Sequence, residues 1–277
     1  MKQGVFAAAL VALLFSPCLP SASRAATGPN LTASGCSVSN LGYLAELAVD
    51  YEKITGVKVF VRGGGSVVGL EELGAGATDF AASCRGKLPG DPADLEFVQV
   101  AWDALVFIVH PTNPVGSISF AEAAQVFDGA IGDWGRLKGP AGPIQVFLQR
   151  PTTGLSGVES SLRTQLLGGR APAPAPGGVE LASTGIVEQF VEKTPRSFGV
   201  SGFSSARKRA VKMLALDGVA PSKQTIVDRS YPLRRPLYLI VKRPARPEVT
   251  AFVDFALGTR GQELIGVYGA IPLRDLR

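Results

Sequence analysis

The fold is decided by residues 31–83, LTASGCSVSNLGYLAELAVDYEKITGVKVFVRGGGSVVGLEELGAGATDFAAS. Apolar residues recur there at helical spacing over 40–55, and Gly56 then ends the pattern. β-Branched residues dominate the next segment, 57–61, as is typical of a strand. The predicted order is strand, helix, strand, helix, strand, over residues 30–33, 40–55, 57–61, 66–73 and 79–82. Because strands that alternate with helical crossovers form parallel sheets, the sequence predicts an α/β protein.

Gly/Ser-rich turns follow three of the predicted strands, and each turn precedes a helical pattern. The turns are 33–37 (ASGCS), 63–66 (GGGS) and 150–156 (RPTTGLS). A helix that begins at such a turn directs unpaired backbone N–H groups, and the positive end of its dipole, at one spot. Three such helix starts that converge on one cleft would form an anion receptor. Candidate ligands in these turns and at the third strand end are Ser34, Gly35, Cys36, Ser37, Gly65, Ser66, Ser83, Cys84, Arg85, Arg150, Gly154 and Ser156.

Two apolar segments, 97–109 and 237–242, predict crossings between two lobes. The first segment is too long for one ordinary strand, so we expect it to form two strand segments. The predicted lobes are residues 28–101 plus 236–277 and residues 102–235.

The first 25 residues have the features of a secretory signal peptide. Lys2 gives a positive start, an apolar run follows over 4–14, and residues 23–25 (SRA) offer a small-x-small cleavage site. No other apolar stretch is long enough to cross a bilayer, so we expect an exported, periplasmic protein. Cys18 leaves with the signal peptide, and the mature chain keeps two cysteines.

The composition argues against several classes of function. The net charge of +5 is mild and the basic residues are scattered, which does not fit a nucleic-acid-binding protein. The small basic clusters at 207–209 and 234–235 are expected to be solvated surface. With His110 as the single histidine, no serine–histidine–acid set can be assembled, and the Gly-rich segments lack the lysine of a P-loop. We therefore expect no enzyme, no cofactor and no metal site.

Seven segments, taken in order, resemble the phosphate-binding proteins of bacterial ABC importers, the phosphate branch of the type II periplasmic binding fold. The segments are 33–37, 63–66 with Gly69, 78–83 (TDFAAS), 110–115 (HPTNPV), 126–129 (VFDG) with Trp134, 231–238 (YPLRRPLY) and 261–262 (GQ). The resemblance covers about 31–273 and implies a two-lobed α/β fold, with mainly parallel sheets, flanking helices and two hinge crossings. It also implies that Arg150 contacts the anion, because the family has an arginine at the matching place.

Two positions depart from the pattern of this family. The family places a carboxylate beside the serine at the third strand end, and often another two residues after the arginine. Those positions are Cys84 and Thr152 here. The carboxylate accepts the proton of a protonated phosphate, so discrimination against a fully ionised anion such as sulfate should weaken.

Cys36 and Cys84 each lie in a candidate ligand loop, after strands that are neighbours in this fold. Parallel neighbours are about 4.8 Å apart, and an exported protein meets an oxidising compartment, so a disulfide is one interpretation. Two free thiols facing the cleft are another, and they would favour soft metals or arsenic(III)-like species. A redox-switched receptor is a third.

The function expected from these observations is capture of a small tetrahedral oxyanion between two lobes, with phosphate as the expected ion. The expected partners are that inorganic anion and an inner-membrane ABC permease or a sensor kinase, with no nucleic acid. We expect a monomer. The alternative is a cysteine-pair sensor or carrier of soft metal or arsenite, or a redox-switched receptor.

Overall fold

The structure is a computed structural model that describes residues 30–150, 156–175 and 177–276. The predicted signal peptide at 1–25, with Cys18, lies outside these residues, and so do Thr152 and Gly154. Within the described ranges, no helix is both long and apolar enough to cross a membrane.

The chain begins with the predicted alternation of strands and helices. The elements are β1 (Leu31–Gly35), α1 (Ser37–Ser39), a π-helical turn (Asn40–Leu44), α2 (Ala45–Thr55), β2 (Val59–Gly63), α3 (Ser66–Gly74) and β3 (Phe80–Ser83). β1 pairs in parallel with β2 and with β3, as expected for helical crossovers. Gly56 ends α2 with a left-handed φ of 75°, which glycine adopts without a steric penalty.

The rest of the chain builds a second group of strands and then returns to the first. The next elements are β4 (Leu95–Val109), β5 (Ser117–Ile118), α4 (Phe120–Phe127), a 3₁₀ turn (Trp134–Leu137), β6 (Gln145–Gln149), α5 (Gly157–Gln165), β7 (Val179–Leu181), α6 (Thr184–Lys193), β8 (Ser197–Gly202) and α7 (Phe203–Ala206). They are followed by β9 (Lys212–Met213), β10 (Ala215–Leu216), α8 (Lys223–Val227), β11 (Arg234–Lys242), α9 (Pro247–Leu257), α10 (Thr259–Tyr268), β12 (Ile271–Pro272) and a final 3₁₀ turn (Leu273–Leu276).

β4 and β11 join the two groups of strands. The main sheet has the order β2-β1-β3-β11-β4-β8-β6-β7, and β9 and β12 also pair with β4. β4 pairs antiparallel with β11 over its first ten residues and with β8 from Leu105 onward. The predicted break into two strand segments is therefore wrong: β4 is continuous over 15 residues, because its partner changes without a gap in the ladder. We call the β1–β3 side lobe 1 and the β6–β8 side lobe 2; the predicted lobe boundaries stay a prediction.

Buried aromatic rings fix the layers of each lobe. In lobe 1, Phe252 of α9 packs on Tyr51 of α2 and on Phe80 of β3, with ring centroids 5.0 Å apart in both pairs. In lobe 2, Phe107 stacks on Phe198 at 5.9 Å across the β4–β8 pair. Helices thus cover the mixed sheet, and the carboxyl ends of β1, β2, β3 and β6 stay available for turns that can carry a site.

Candidate anion-binding cleft

Two turns of lobe 1 are hydrogen-bonded to each other at the edge of the sheet. The backbone N–H groups of Gly64 and Gly65 both donate to the Gly35 carbonyl, at 2.8 Å each. α3 begins at Ser66 and passes so close to β1 that a Cβ at Gly69 would lie 2.7 Å from Gly35 Cα. Because no side chain fits at Gly69, the glycine there allows the start of α3 to pack directly against the end of β1.

The β1–α1 turn brings a thiol and a hydroxyl to the same place. Cys36 is the N-cap of α1, and its Sγ accepts a hydrogen bond from the Ser39 N–H at 3.5 Å. Ser37 is buried, and its Oγ lies 3.1 Å from the point where a Cβ of Gly63 would stand. The first two turns therefore form one continuous polar surface.

The starts of α3 and α5 meet across the cleft between the lobes. The Cys84 N–H donates to Ser66 Oγ at 3.3 Å, and Cys84 Sγ lies 4.0 Å from the same oxygen. Gly157, the first residue of α5, approaches from lobe 2 so closely that a Cβ there would be 2.2 Å from Cys84 Sγ and 2.9 Å from Ser66 Oγ. Ser156 caps α5 by accepting the Glu159 N–H at 3.2 Å. Loops from both lobes thus converge on one point.

Gln149 adds an amide to the cleft that the sequence analysis did not single out. Its Oε1 accepts a hydrogen bond from Thr184 Oγ1 at 2.8 Å, which fixes the amide. Its Nε2 is buried without a hydrogen-bond partner among the described residues and lies 3.0 Å from the Cβ position of Gly65. The sequence feature that could have indicated Gln149 is its position at the end of β6, directly before Arg150.

Three predicted ligands have other surroundings in the structure. Ser34 lies within β1, where its hydroxyl is buried without a hydrogen-bond partner among the described residues and lowers the pKa of Glu72 of α3. Ser83 Oγ donates to the Arg85 carbonyl at 2.8 Å and so serves its own turn. The Arg85 guanidinium donates to both carboxylate oxygens of Asp91, at 2.7 and 2.9 Å. Of the predicted serines, Ser37 and Ser66 are the first residues of α1 and α3, and Ser156 is the N-cap of α5.

Arg150 follows Gln149, whose amide lies beside Gly65. It directly follows β6, its side chain is exposed, and its backbone N–H donates to the Leu181 carbonyl at 2.7 Å. Gly154 lies outside the described residues, so the ligand roles of Arg150 and Gly154 stay predictions.

A buried ion pair lies beneath the cleft, where β4 and β11 run side by side. Arg235 is 1% exposed and donates from Nη2 to Asp103 Oδ2 at 3.0 Å, while Asp103 Oδ1 accepts the Ser204 N–H at 2.8 Å. Arg235 Nη1 is buried without a hydrogen-bond partner among the described residues. The expectation that 234–235 is solvated surface is therefore wrong for Arg235, which shares the buried face of β11 with Leu237 and Leu239.

Cys36 and Cys84 are free and buried, so the predicted disulfide is not formed in the structure. The two thiols are close enough for each to shift the pKa of the other. Burial alone would raise the pKa of Cys36, but the neighbouring Cys84 thiol, the charge of Arg235 and the Ser39 N–H lower it to about 7. Burial raises the pKa of Cys84, and the neighbouring Cys36 raises it further. When the pH exceeds the pKa of Cys36, the pair therefore consists of a Cys36 thiolate beside a Cys84 thiol.

The two lobes, the β4–β11 crossing and the helix starts on one cleft are the features of a type II periplasmic binding protein. The family model described as a PBP superfamily domain matches residues 20–260, and the chain belongs to this superfamily. The predicted fold class is confirmed.

Several relatives share most of the chain. The phosphate-binding protein PstS of Borreliella burgdorferi is 28% identical over 243 residues, which cover 83% of this chain and 86% of that protein. PstS of Bacillus subtilis is 27% identical over 252 residues, with 90% and 82% covered. A Clostridium perfringens structure assigned as a phosphate ABC transporter substrate-binding protein, with bound phosphate, superposes with a TM-score of 0.81 at 21% identity, covering 88% of this chain and 100% of that one. The last comparison shows the shared fold.

Proposed function

We propose that this protein is an exported solute-binding protein that captures phosphate between its lobes and delivers it to an inner-membrane ABC permease. The relatives named as phosphate-binding proteins span most of their own length and of this chain, which supports the assignment. They do not favour a soft-metal or arsenite carrier as the main function. Among the described residues, no cluster of three or more His, Cys, Asp or Glu side chains could hold a metal ion.

The observation that carries the proposal is the meeting of α3 and α5 at Ser66, Cys84 and Gly157. Each helix start offers backbone N–H groups that have no partner within the helix, and both dipoles present their positive ends. Ser37 and Ser66 from lobe 1 and Ser156 from lobe 2 add hydroxyl donors. A tetrahedral anion between the lobes can therefore receive hydrogen bonds on several oxygens at once, which a buried charge requires.

Arg150 supplies the permanent positive charge in this proposal. A guanidinium can donate two parallel hydrogen bonds to neighbouring phosphate oxygens. Its exposed position at the end of β6 allows it to reach an anion at the mouth of the cleft and to be covered when the lobes close. The Arg85 guanidinium is paired with Asp91, so the proposal assigns it no contact with the anion.

Lobe closure follows from the two crossings. β4 belongs to the ladders of both lobes, and β11 pairs with β4 beside the Asp103–Arg235 pair. Rotation about these adjacent strands opens and closes the cleft without breaking either core. The protein binds and releases its ligand and performs no chemical step on it.

Isothermal titration calorimetry with phosphate, sulfate, arsenate and molybdate tests the proposal on the reduced protein. We expect phosphate to bind, and Ser66→Ala to weaken it by about tenfold, the effect of one hydrogen bond to a charged group. Ser117→Ala removes an exposed hydroxyl of lobe 2 and is the matched control. Absence of phosphate binding by the folded protein would overturn the proposed ligand, and equal effects of the two variants would remove Ser66 from the site.

A further inference from the structure

The cysteine pair occupies the same cleft as the proposed anion but has a chemistry of its own. Cys36 and Cys84 are each 2% exposed, and they follow strands that are paired up to Gly35 and Ala82. The backbone holds them together as well, since the Cys36 N–H donates to the Ala82 carbonyl at 2.8 Å. Neighbouring strands lie about 4.8 Å apart, so residues just beyond their paired ends can have the Cα separation of roughly 4.4–6.8 Å that a disulfide requires.

The environment distinguishes the two sulfur atoms. Cys36 Sγ accepts the Ser39 N–H and lies near Arg235, whose Nη1 is buried without a partner among the described residues. Such surroundings stabilise a thiolate, the reactive form of cysteine. Cys84 Sγ lies against Ser66 and the start of α5 instead. Cys36 is therefore the nucleophile of the pair, and Cys84 is placed to resolve a bond formed at Cys36.

We propose that Cys36 and Cys84 form a reversible dithiol–disulfide site within the cleft, oxidised by disulfide compounds, and that oxidation strengthens anion binding. The Cys36 thiolate attacks one sulfur of an external disulfide, forming a mixed disulfide and releasing one thiolate. Cys84, after losing its proton to solvent, attacks Cys36 Sγ and expels the second thiolate. The two protein thiols are oxidised and one external disulfide is reduced to two thiols, so atoms and electrons balance.

The sign of the effect on binding follows from charge. In the reduced protein the Cys36 thiolate carries a negative charge in the site and engages the field of Arg235. The disulfide is neutral, so oxidation removes the repulsion and leaves the charge of Arg235 less compensated. This second part of the inference depends on the proposed phosphate function, whereas formation of the disulfide does not.

The same geometry predicts when the pair can react. α5 covers Cys84 in the structure, because Gly157 lies against its sulfur. An external disulfide can reach the pair only when the lobes separate. Phosphate, by holding the lobes closed, should therefore slow the oxidation.

The test uses the full chain with Cys18→Ser, so that Cys36 and Cys84 are its only thiols. Protein treated with oxidised glutathione is denatured, alkylated and weighed by mass spectrometry, with and without phosphate. We expect a species lacking two hydrogen atoms and no longer alkylated, formed more slowly with phosphate. At pH 8 calorimetry should show phosphate binding roughly tenfold tighter to this species, the effect of one screened unit charge at a partly buried site.

Cys36→Ser and Cys84→Ser are the matched variants. Each removes one partner, so each should stop at a mixed disulfide with glutathione or not react, and each should lose the intramolecular product. If the native protein forms no intramolecular disulfide while the same protein forms it after unfolding, the site does not exist. A disulfide that forms but leaves phosphate affinity unchanged or weaker overturns the coupling. If neither state binds phosphate, the proposed function fails and the redox site is judged from the masses alone.

Discussion

Gly157→Ala is the sharpest probe of lobe closure, because it adds one methyl group at the point where α5 meets lobe 1. That methyl would lie 2.2 Å from Cys84 Sγ and 2.9 Å from the Cys84 carbonyl carbon. Heavy atoms in contact are usually about 3.5–4.0 Å apart, so α5 has to retreat by roughly 1.5 Å. The shift leaves each lobe intact and acts only on their approach.

The expected cost to binding follows from the same distance. A retreat of that size carries α5 donors beyond the reach of about 3.5 Å at which hydrogen bonds lose their strength. Loss of two hydrogen bonds to a charged ligand, each about 1.5 kcal/mol, weakens binding by on the order of 100-fold. Stability should not fall, because alanine is favoured over glycine within a helix by up to about 1 kcal/mol.

Calorimetry with phosphate and thermal unfolding without ligand measure the two effects separately. Gly116→Ala is the matched control, since no atom lies within 4 Å of the added methyl group. The Cys84 sulfur is the atom nearest to the added methyl group. Gly157→Ala should therefore weaken phosphate binding less in a Cys84→Ala background than in the unsubstituted protein. An affinity within twofold of the unsubstituted protein would show that α5 does not close on the ligand and refute the reasoning.

Three further predictions concern charges. Arg150→Ala should reduce phosphate affinity by at least 100-fold in calorimetry while Arg136→Ala, an exposed arginine of lobe 2, leaves it unchanged; equal affinities would exclude Arg150 from the site. Asp103→Asn removes the carboxylate that is paired with the buried Arg235 and should lower the free energy of unfolding in urea by about 3 kcal/mol or more, a loss that a change below 1 kcal/mol would contradict. Because the pKa of Cys36 is lowered from 9.0 to about 7, its ionisation stabilises the folded protein above pH 9, and this contribution is lost as the pH falls through about 7. Under reducing conditions, the stability difference from Cys36→Ser should therefore increase between pH 7 and 9 and stay flat below that window.

The strand–helix alternation of lobe 1 could be predicted because its signals are local. The helix over 40–55 repeats apolar residues with the helical period, and Gly56 has the conformation that a helix end favours. The continuous strand β4 was missed for the opposite reason. Its length depends on pairing first with β11 and then with β8. Pairing with distant segments of the chain cannot be inferred from the local sequence of the strand.

The site residues show how a small error in an element boundary redirects a side chain. The predicted first strand ends at residue 33, whereas β1 continues to Gly35. Ser34 is therefore part of a pleated strand and faces α3, since successive side chains point to opposite faces. Ser37, beyond the turn, is the first residue of α1. Arg235 illustrates a signal that was present, because its alternation with Leu237 and Leu239 marks the buried face of β11.

The charge balance of the cleft ties the binding prediction to the cysteine pair. Asp103 forms an ion pair with Arg235, and the reduced pair places a Cys36 thiolate in the same region. A dianion entering the reduced protein therefore finds little net positive charge around the cysteine pair besides the helix starts. Arg150 then provides the main positive charge for binding. Oxidation removes the thiolate, so phosphate binding then depends less on the charge of Arg150. The loss caused by Arg150→Ala should consequently be smaller in the oxidised protein than in the reduced one, a difference that independent contributions would not produce.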